Sequence, residues 1–221
     1  MSMKADSFSL SWISDPQVFA VNRLDAVSDH DVYASAQEAE QGVSSLKRSL
    51  RGAWRMRYAE CPTQAPAEYW REGFDDHDFD WVQVPGHLQM QGYGTIQYVN
   101  TQYPWDGNED LKPGEVSVKH NATASYVKRF SLTEAEAASR VVLTLEGVES
   151  SAAVWLNGQF IGYGEDGFTP SRYDVSQAAR PGENRLCVQC FQRTSGSWLE
   201  DQDFWRFSGI FRDVTLTFEP K

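Results

Sequence analysis

The sequence has 221 residues, of which 41% are hydrophobic and 13% aromatic, and this composition excludes an intrinsically disordered chain. Its 20 basic and 31 acidic residues give a net charge of -11, which argues against nucleic acid or an anionic membrane surface as a partner. The first residues lack the apolar core of a signal peptide, and no apolar run approaches the roughly 20 residues of a transmembrane helix, so we expect a cytoplasmic protein that handles neutral ligands.

Residues 1–45 have little strand character and predict an irregular N-terminal arm that lies on the domain or on a partner. Within this arm, Ser35 followed by Glu38 predicts a capping box, so we expect one short helix over 36–41 that Gly42 ends. The remaining residues, 46–221, are expected to form a single domain.

Beyond the arm, the sequence is dominated by short strands. Residues 50–58 place Trp54, Met56 and Tyr58 on one face and arginines on the other, the period of two that is typical of a half-buried strand. A short helix is predicted near 67–72. Further strands are predicted at 81–85, 125–132, 140–145, 152–156, 159–163, 185–191 and 211–218.

Asn157-Gly158 separates two apolar runs and predicts a hairpin turn, because both residues tolerate positive φ angles. About eight short strands with turn signals every 8–12 residues or so, and almost no helix, favour an all-β sandwich, most simply a jelly roll.

The three cysteines are odd in number and lack the spacing of a disulfide framework. Cys187 and Cys190 lie three apart in a predicted strand, so they should point to opposite faces and form a poor metal pair. At least one of them should be buried.

Two stretches carry the candidate functional residues. Residues 86–108 form a predicted loop that is dense in Tyr, Gln and Asn, and 194–214 interleaves acids with large aromatic residues. Carboxylates beside aromatic rings suit a hard cation, or a sugar whose hydroxyls the acids hold while a ring covers its apolar face. The alternative is structural: Glu200, Asp201, Arg206 and Arg212 would form ion pairs that hold the loop.

The histidines give little support to acid–base catalysis. His30, His77, His87 and His120 are isolated from one another and are interpreted as loop residues, with His87 the best placed because it lies in 86–108.

Residues 147–190, which include LNG and GENRL, and residues 197–214, SWLEDQDFWRFSGIFRDV, resemble the N-terminal domain of glycoside hydrolase family 2, in its long lac-type β-galactosidase branch. The segments VNRL at 21–24, SLRGAWRMRY at 49–58 and VPGHLQMQGYGTIQYVNTQYP at 84–104 agree with this, so the resemblance covers nearly the whole chain.

The resemblance implies a jelly-roll, galactose-binding-domain-like unit of a retaining β-galactosidase. The two catalytic glutamates would belong to a separate TIM barrel of the same polypeptide or of a partner subunit, so we expect no catalytic residue here and no hydrolysis by this chain alone. The parent enzyme would be a homo-oligomer.

The resemblance also implies two site residues. Asp203, the second aspartate of LEDQD, matches the family aspartate that ligates an active-site sodium and contacts the galactose 6-hydroxyl. Asn100, in YVNTQYP, matches the family asparagine that hydrogen-bonds substrate. The other sodium ligands would come from the barrel, so the site in this chain is partial.

A magnesium site is found in some members between the arm and the domain. Asp15, Val18 and Glu165 fall near the matching positions, but Trp12 and Ser195 stand where carboxylates are expected. Losing charged oxygen ligands weakens a hard-cation site, so we expect this chain not to bind the magnesium of the parent enzyme.

Two other hypotheses remain open at the level of the sequence. The chain could be a free-standing carbohydrate-binding module that uses Trp198, Phe204 or Trp205 as a platform. It could also be a purely structural domain whose acidic loops dock the barrel.

Overall fold

A computed structural model describes residues 2–28, 30–200 and 203–220. The helices it describes are α1 (Ala36–Gln41) and α2 (Glu134–Ala138), and single 3-10 turns occur at Leu10–Ser14, Pro62–Gln64, Gln89–Gln91 and Ser195–Trp198. The strands are β1 (Ala20–Val21), β2 (Lys47–Ser49), β3 (Gly52–Ala59), β4 (Asp80–Val84), β5 (Gln97–Val99), β6 (Thr123–Leu132), β7 (Arg140–Leu145), β8 (Val148–Glu149), β9 (Ser151–Leu156), β10 (Gln159–Gly164), β11 (Ser171–Asp174), β12 (Gly182–Phe191), β13 (Phe204–Arg206), β14 (Gly209–Ile210) and β15 (Val214–Glu219).

These strands form two main sheets, which confirms the all-β, jelly-roll-like sandwich. One sheet has the order β1-β10-β9-β12-β6-β3-β4 and the other has the order β11-β7-β15-β2. Two short ribbons, β13-β5 and β14-β8, complete the described pairings. The long strands β6 and β12 are antiparallel over ten residues each and form the centre of the larger sheet.

The main core lies between the two sheets. Four of its large side chains, Trp54, Tyr126, Tyr173 and Met56, are at most 1% exposed. Trp54 and Met56 alternate with arginines along β3, as the period of two predicts. One face of each sheet therefore supplies the apolar area that stabilises the sandwich.

A second apolar cluster covers the other face of the larger sheet. Phe8 and Ile13 from the arm pack there, and the Trp70 ring stacks on Trp155 with centroids 4.5 Å apart. The Phe8 ring also lies 5.7 Å from Phe191. Because both faces are covered, every residue of β9 is buried and this strand shows no polar alternation.

Several local predictions are confirmed. Helix α1 spans the predicted residues: the Glu38 N–H donates to the Ser35 side chain, and Gly42 ends the helix with a left-handed backbone. Asn157 and Gly158 have φ angles of 51° and 79° and join β9 to β10. Both φ angles are positive, as a tight hairpin turn requires.

One helix prediction was wrong, and one helix was missed. Residues 67–72 form a turn, since Glu68 has a φ of 53° that no right-handed helix accommodates. Helix α2 was missed, although Thr133 and Glu136 form a complete capping box at its start. The last strand also begins later than predicted, because Val214 is its first residue.

Cys187 lies in the outer cluster and Cys190 in the inner core, as opposite faces of one strand require, and both are free and buried. Among the described residues, no helix is long and apolar enough to cross a membrane.

Candidate functional site

The structure brings the two predicted site residues together. Strands β5 and β13 pair antiparallel, with Tyr98 opposite Trp205. The pairing extends one step further, because the Asp203 N–H donates to the Asn100 carbonyl at 3.0 Å. Residues from two distant stretches of the chain therefore share one exposed corner of the domain, where the side chains of Asn100 and Asp203 both reach solvent.

Asp203 sits in a distinctive backbone position. Its φ is 57°, a left-handed conformation that aspartate tolerates better than most residues. The Tyr98 hydroxyl donates a hydrogen bond to Oδ1 of its carboxylate. This hydrogen bond raises the pKa of the Tyr98 phenol, because the ionised phenol could no longer donate to the carboxylate.

Half-exposed aromatic side chains surround this corner. The Tyr98 and Trp205 rings lie 5.1 Å apart and are 48% and 52% exposed. Phe204 is 47% exposed and meets the Phe168 ring edge-on at 6.0 Å. Adjacent strand residues point to opposite faces, so Tyr98 and Trp205 lie on one face of the β5–β13 ribbon, and Phe204 lies with Phe168 on the other. We call these four rings the aromatic ledge. Exposed rings of this kind are typical of a surface that a ligand or another domain covers.

The loop before β14 is fastened to residues 86–89. The Gly86 N–H donates to the Ile210 carbonyl at 2.8 Å, and the Leu88 N–H donates to the Ser208 carbonyl at 2.9 Å. The buried Gln89 amide donates to the Ser208 hydroxyl and accepts from the Ser208 N–H. This reciprocal pairing fixes the chain directly beyond β13.

The Trp198 side chain packs against neighbouring residues of the domain and is not displayed for a ligand. Its indole N–H donates to the Glu115 carbonyl at 2.8 Å, and its ring lies 4.4 Å from Tyr103 and 4.8 Å from the buried Trp105. A ring held in this way supports the loop. The sequence hypothesis that made Trp198 a sugar platform fits this position less well than it fits Trp205.

The charged residues of 194–214 hold the loop in more than one way. The buried Arg206 donates to the Glu200 carbonyl at 3.3 Å. Arg212 donates to the Phe168 carbonyl at 2.8 Å and lies over the Phe211 ring. Arg212 thus contacts a carbonyl and an aromatic ring of the domain. The ion-pair role predicted for it stays a prediction, because Asp201 lies outside the described residues.

His87 is enclosed by aromatic rings. It stacks on Phe211 at 5.1 Å and lies 4.6 Å from Phe207, and its Nδ1 is 3.9 Å from the buried Glu149 carboxylate. Burial lowers the pKa of His87. These contacts make it a packing residue of the loop, in agreement with the interpretation from the sequence.

The expectation that magnesium does not bind near Asp15, Val18 and Glu165 stays a prediction. Glu165 is buried, and its carboxylate accepts from the Tyr163 hydroxyl at 2.7 Å. Burial raises the pKa of Glu165 to about 7. The Trp12 ring packs on the Phe160 and Tyr163 rings, so it supplies no ligand. Within 2–28, 30–200 and 203–220, no group of three or more His, Cys, Asp or Glu side chains could hold a metal.

The fit to sodium is partial. Asp203 offers one exposed carboxylate, of which Oδ1 already accepts from Tyr98, and hard cations take about six oxygen ligands or more. One carboxylate can contribute to such a site and cannot complete it. The sodium role of Asp203 and the substrate role of Asn100 stay predictions.

An amide, a carboxylate, a phenol and an indole at one exposed corner suit a neutral polyol. The carboxylate can accept hydrogen bonds from hydroxyls, the amide can both accept and donate them, and a ring can cover an apolar sugar face. Tyr98 was missed in the sequence. Its spacing of two from Asn100 in QYVN was the signal, because residues two apart in a strand share a face.

Comparisons with known proteins bear on the family and the fold. Residues 47–220 match the family model described as "Glycosyl hydrolases family 2, sugar binding domain". The chain is 50% identical to a β-galactosidase of Halalkalibacterium halodurans, over 97% of this chain and 21% of the relative. It is 48% identical to a β-galactosidase of Lactobacillus delbrueckii subsp. bulgaricus, over 99% of this chain and 21% of the relative.

The chain is also 44% identical to a β-galactosidase large subunit of Leuconostoc lactis, over 96% of this chain and 36% of that subunit. It thus spans about a fifth to a third of the length of these relatives. A solved β-glucuronidase of Bifidobacterium dentium shares the fold, with a TM-score of 0.58 and 20% identity over 80% of this chain and 31% of the solved chain.

Proposed function

The chain belongs to glycoside hydrolase family 2, as a sugar-binding domain of that family, and we propose that it serves a β-galactosidase as its non-catalytic, substrate-contacting part. The observation that carries the proposal is the pairing of Asn100 with Asp203, which puts an amide and a carboxylate side by side at an exposed corner. Relatives that are 44–50% identical and named β-galactosidases support the choice of a galactoside as substrate.

In this proposal, Asn100 and Asp203 bind hydroxyls of the galactose unit, and Asp203 also ligates sodium. Sodium, when bound, would offset the Asp203 charge and anchor a sugar hydroxyl electrostatically. Hydrolysis with retention would be performed by two carboxylates of a TIM barrel elsewhere in the parent enzyme. The aromatic ledge would face that barrel, since half-exposed rings gain stability when another domain covers them.

A homo-oligomeric parent and a cytoplasmic location belong to the same proposal. Three free, buried cysteines support a reducing compartment.

The test of the proposed site is Asp203→Asn in the full-length parent enzyme. This change keeps the side-chain shape and removes the charge, so we expect the KM for a β-galactoside to rise about tenfold or more, or about 1.4 kcal/mol. The stimulation of activity by sodium should flatten. Kinetics at several sodium concentrations, with potassium holding ionic strength constant, would measure both.

Asp75→Asn is the matched control, because it removes an exposed carboxylate that pairs with His77 rather than with the candidate site. It should leave both responses unchanged. An unaltered sodium response in Asp203→Asn would overturn the assignment.

A second candidate is a free-standing carbohydrate-binding module. The observation in its favour is the Trp205 ring, which is 52% exposed beside Tyr98 and could stack on a sugar without any barrel. The chain matches only 21–36% of the length of these relatives. This favours the first proposal, since the relatives that carry a similar domain are about three to five times longer than the chain.

A further inference from the structure

Tyr98 reaches Asp203 by the geometry of the β5–β13 ribbon. Tyr98 lies opposite Trp205, and Asn100 follows Tyr98 by two residues on the same strand face. Asp203 lies opposite Asn100, so Tyr98 and Asp203 are diagonal cross-strand neighbours. A long side chain spans such a diagonal, and the Tyr98 hydroxyl does so when it donates to Asp203.

The strand that carries Tyr98 is itself anchored. The buried Arg193 donates to the side-chain oxygen of Gln97 at 2.9 Å, and the Gln97 amide donates to the Pro104 carbonyl at 3.0 Å. The Trp205 ring supports the Tyr98 ring from the partner strand. The phenol therefore projects from a fixed base towards Asp203.

The hydrogen bond gives the two oxygens of the Asp203 carboxylate different roles. Oδ1 accepts from Tyr98, which leaves Oδ2 to face a cation or a hydroxyl. Hydrogen bonds to ionised acceptors are short and strong, so this one restricts the rotation of the carboxylate. It adds little to the stability of the fold, because both side chains are exposed. We therefore expect this hydrogen bond to affect ligand binding rather than the stability of the fold.

We propose that Tyr98 is a positioning residue for Asp203: its hydroxyl holds Oδ1 and so presents Oδ2 to sodium and to the sugar. The inference rests on the proposed function, because it assigns the geometry of the same site. It adds a residue for which the resemblance implied no role.

The decisive variant is Tyr98→Phe in the full-length parent enzyme. It retains the ring contact with Trp205 and removes the hydroxyl alone. We expect the sodium concentration for half-maximal effect to rise about five- to tenfold, since a freely rotating carboxylate must be ordered when the ion binds. The matched control is Tyr103→Phe, in the same loop, whose ring packs on Trp198.

Two readouts separate positioning from a structural role. The first is sodium-dependent thermal stabilisation of the parent enzyme, with potassium as the reference ion, which needs no turnover. The second is the KM of Tyr98→Phe measured at rising sodium concentration. Saturating sodium should restore the KM of this variant, because the bound ion then orders the carboxylate, whereas a structural defect would persist.

The outcomes distinguish the inference from the function on which it rests. The inference is supported if Asp203→Asn alters the sodium response and Tyr98→Phe weakens sodium binding. The double variant Tyr98→Phe/Asp203→Asn should then bind sodium no more weakly than Asp203→Asn alone. If Asp203→Asn alters the sodium response but Tyr98→Phe binds sodium as tightly as Tyr103→Phe does, the positioning role is overturned and the proposed function stands. If Asp203→Asn changes nothing, the proposed function itself is overturned.

Discussion

Asp76 is a buried acid that pairs with an arginine. The Arg129 guanidinium donates to both carboxylate oxygens, at 2.9 and 2.6 Å. Burial by itself would raise the pKa of Asp76, but the Arg129 hydrogen bonds, together with the positive charges of Arg129 and Arg185, outweigh this and hold the pKa below its usual value. The pair ties the segment before β4 to the central strand β6.

A pH-dependent contribution to stability follows from this pair. Because the folded-state pKa of Asp76 is lowered, the stabilisation is fully present above the unfolded-state pKa of about 4 and is lost as the pH falls through the folded-state value. We expect Asp76→Asn to cost about 2 kcal/mol at pH 7. The difference from wild type should shrink towards pH 3.

Urea unfolding of the chain at pH 7, 5, 4 and 3 would measure that difference. Asp75→Asn is the neighbouring control, because its carboxylate is exposed. A penalty for Asp76→Asn that stays constant down to pH 3 would show that the charge of Asp76 contributes nothing to stability.

At the scale of secondary-structure elements, a side chain hydrogen-bonds to the outer edge of strand β4. Gln83 on β4 lies opposite Ala53, and its backbone N–H and carbonyl face away from β3. The Gln91 amide bonds to both, at 2.7 and 3.1 Å, and so takes the place of a further strand. An edge that is covered in this way offers fewer groups to another chain.

Gln91→Ala should open this edge. We expect the hydrogen-exchange protection of the Gln83 amide to fall about tenfold or more, because its N–H would face water. The free energy of unfolding should fall by about 1 kcal/mol. Exchange measured by NMR and urea titration would report the two effects.

The control is Gln177→Ala, since Gln177 is an exposed glutamine outside β4 and the 86–91 segment. If the Gln83 amide kept its protection in Gln91→Ala, the capping role of Gln91 would be refuted.

At the scale of the whole molecule, the domain is proposed to supply part of a site. Asn100 and Asp203 lie together at an exposed corner and are proposed to contact the sugar, and the catalytic carboxylates are proposed to lie in another domain. The 221-residue chain should therefore fold and should not hydrolyse a chromogenic β-galactoside. Titration calorimetry with galactose should show no site of micromolar affinity, because an open corner buries little of a sugar.

Turnover above that of an identically purified Asp203→Asn sample would contradict the non-catalytic assignment. A micromolar galactose site in the chain alone would favour the carbohydrate-binding module instead.

The predictions that held depend on neighbouring residues. Ser35, Glu38 and Gly42 determine helix α1, and Asn157-Gly158 determines the β9–β10 turn. The alternation of apolar and polar residues along the strands predicted the sandwich, because a strand with one buried face places apolar residues at every second position. The motif LEDQD pointed to Asp203 by resemblance, and its role stays a prediction, as does the domain boundary at residue 46.

The amino-acid sequence by itself thus determined the strands, the tight turns and the family, because periodicity, caps and motifs are local. Only the tertiary structure decided that Phe8 and Ile13 of the arm cover the second face of the larger sheet. It alone placed the Tyr98 hydroxyl on Asp203, 105 residues away along the chain. The physical reason is that local dihedral preferences do not specify which distant segments meet, whereas burial of a sheet face and pairing of backbone groups do.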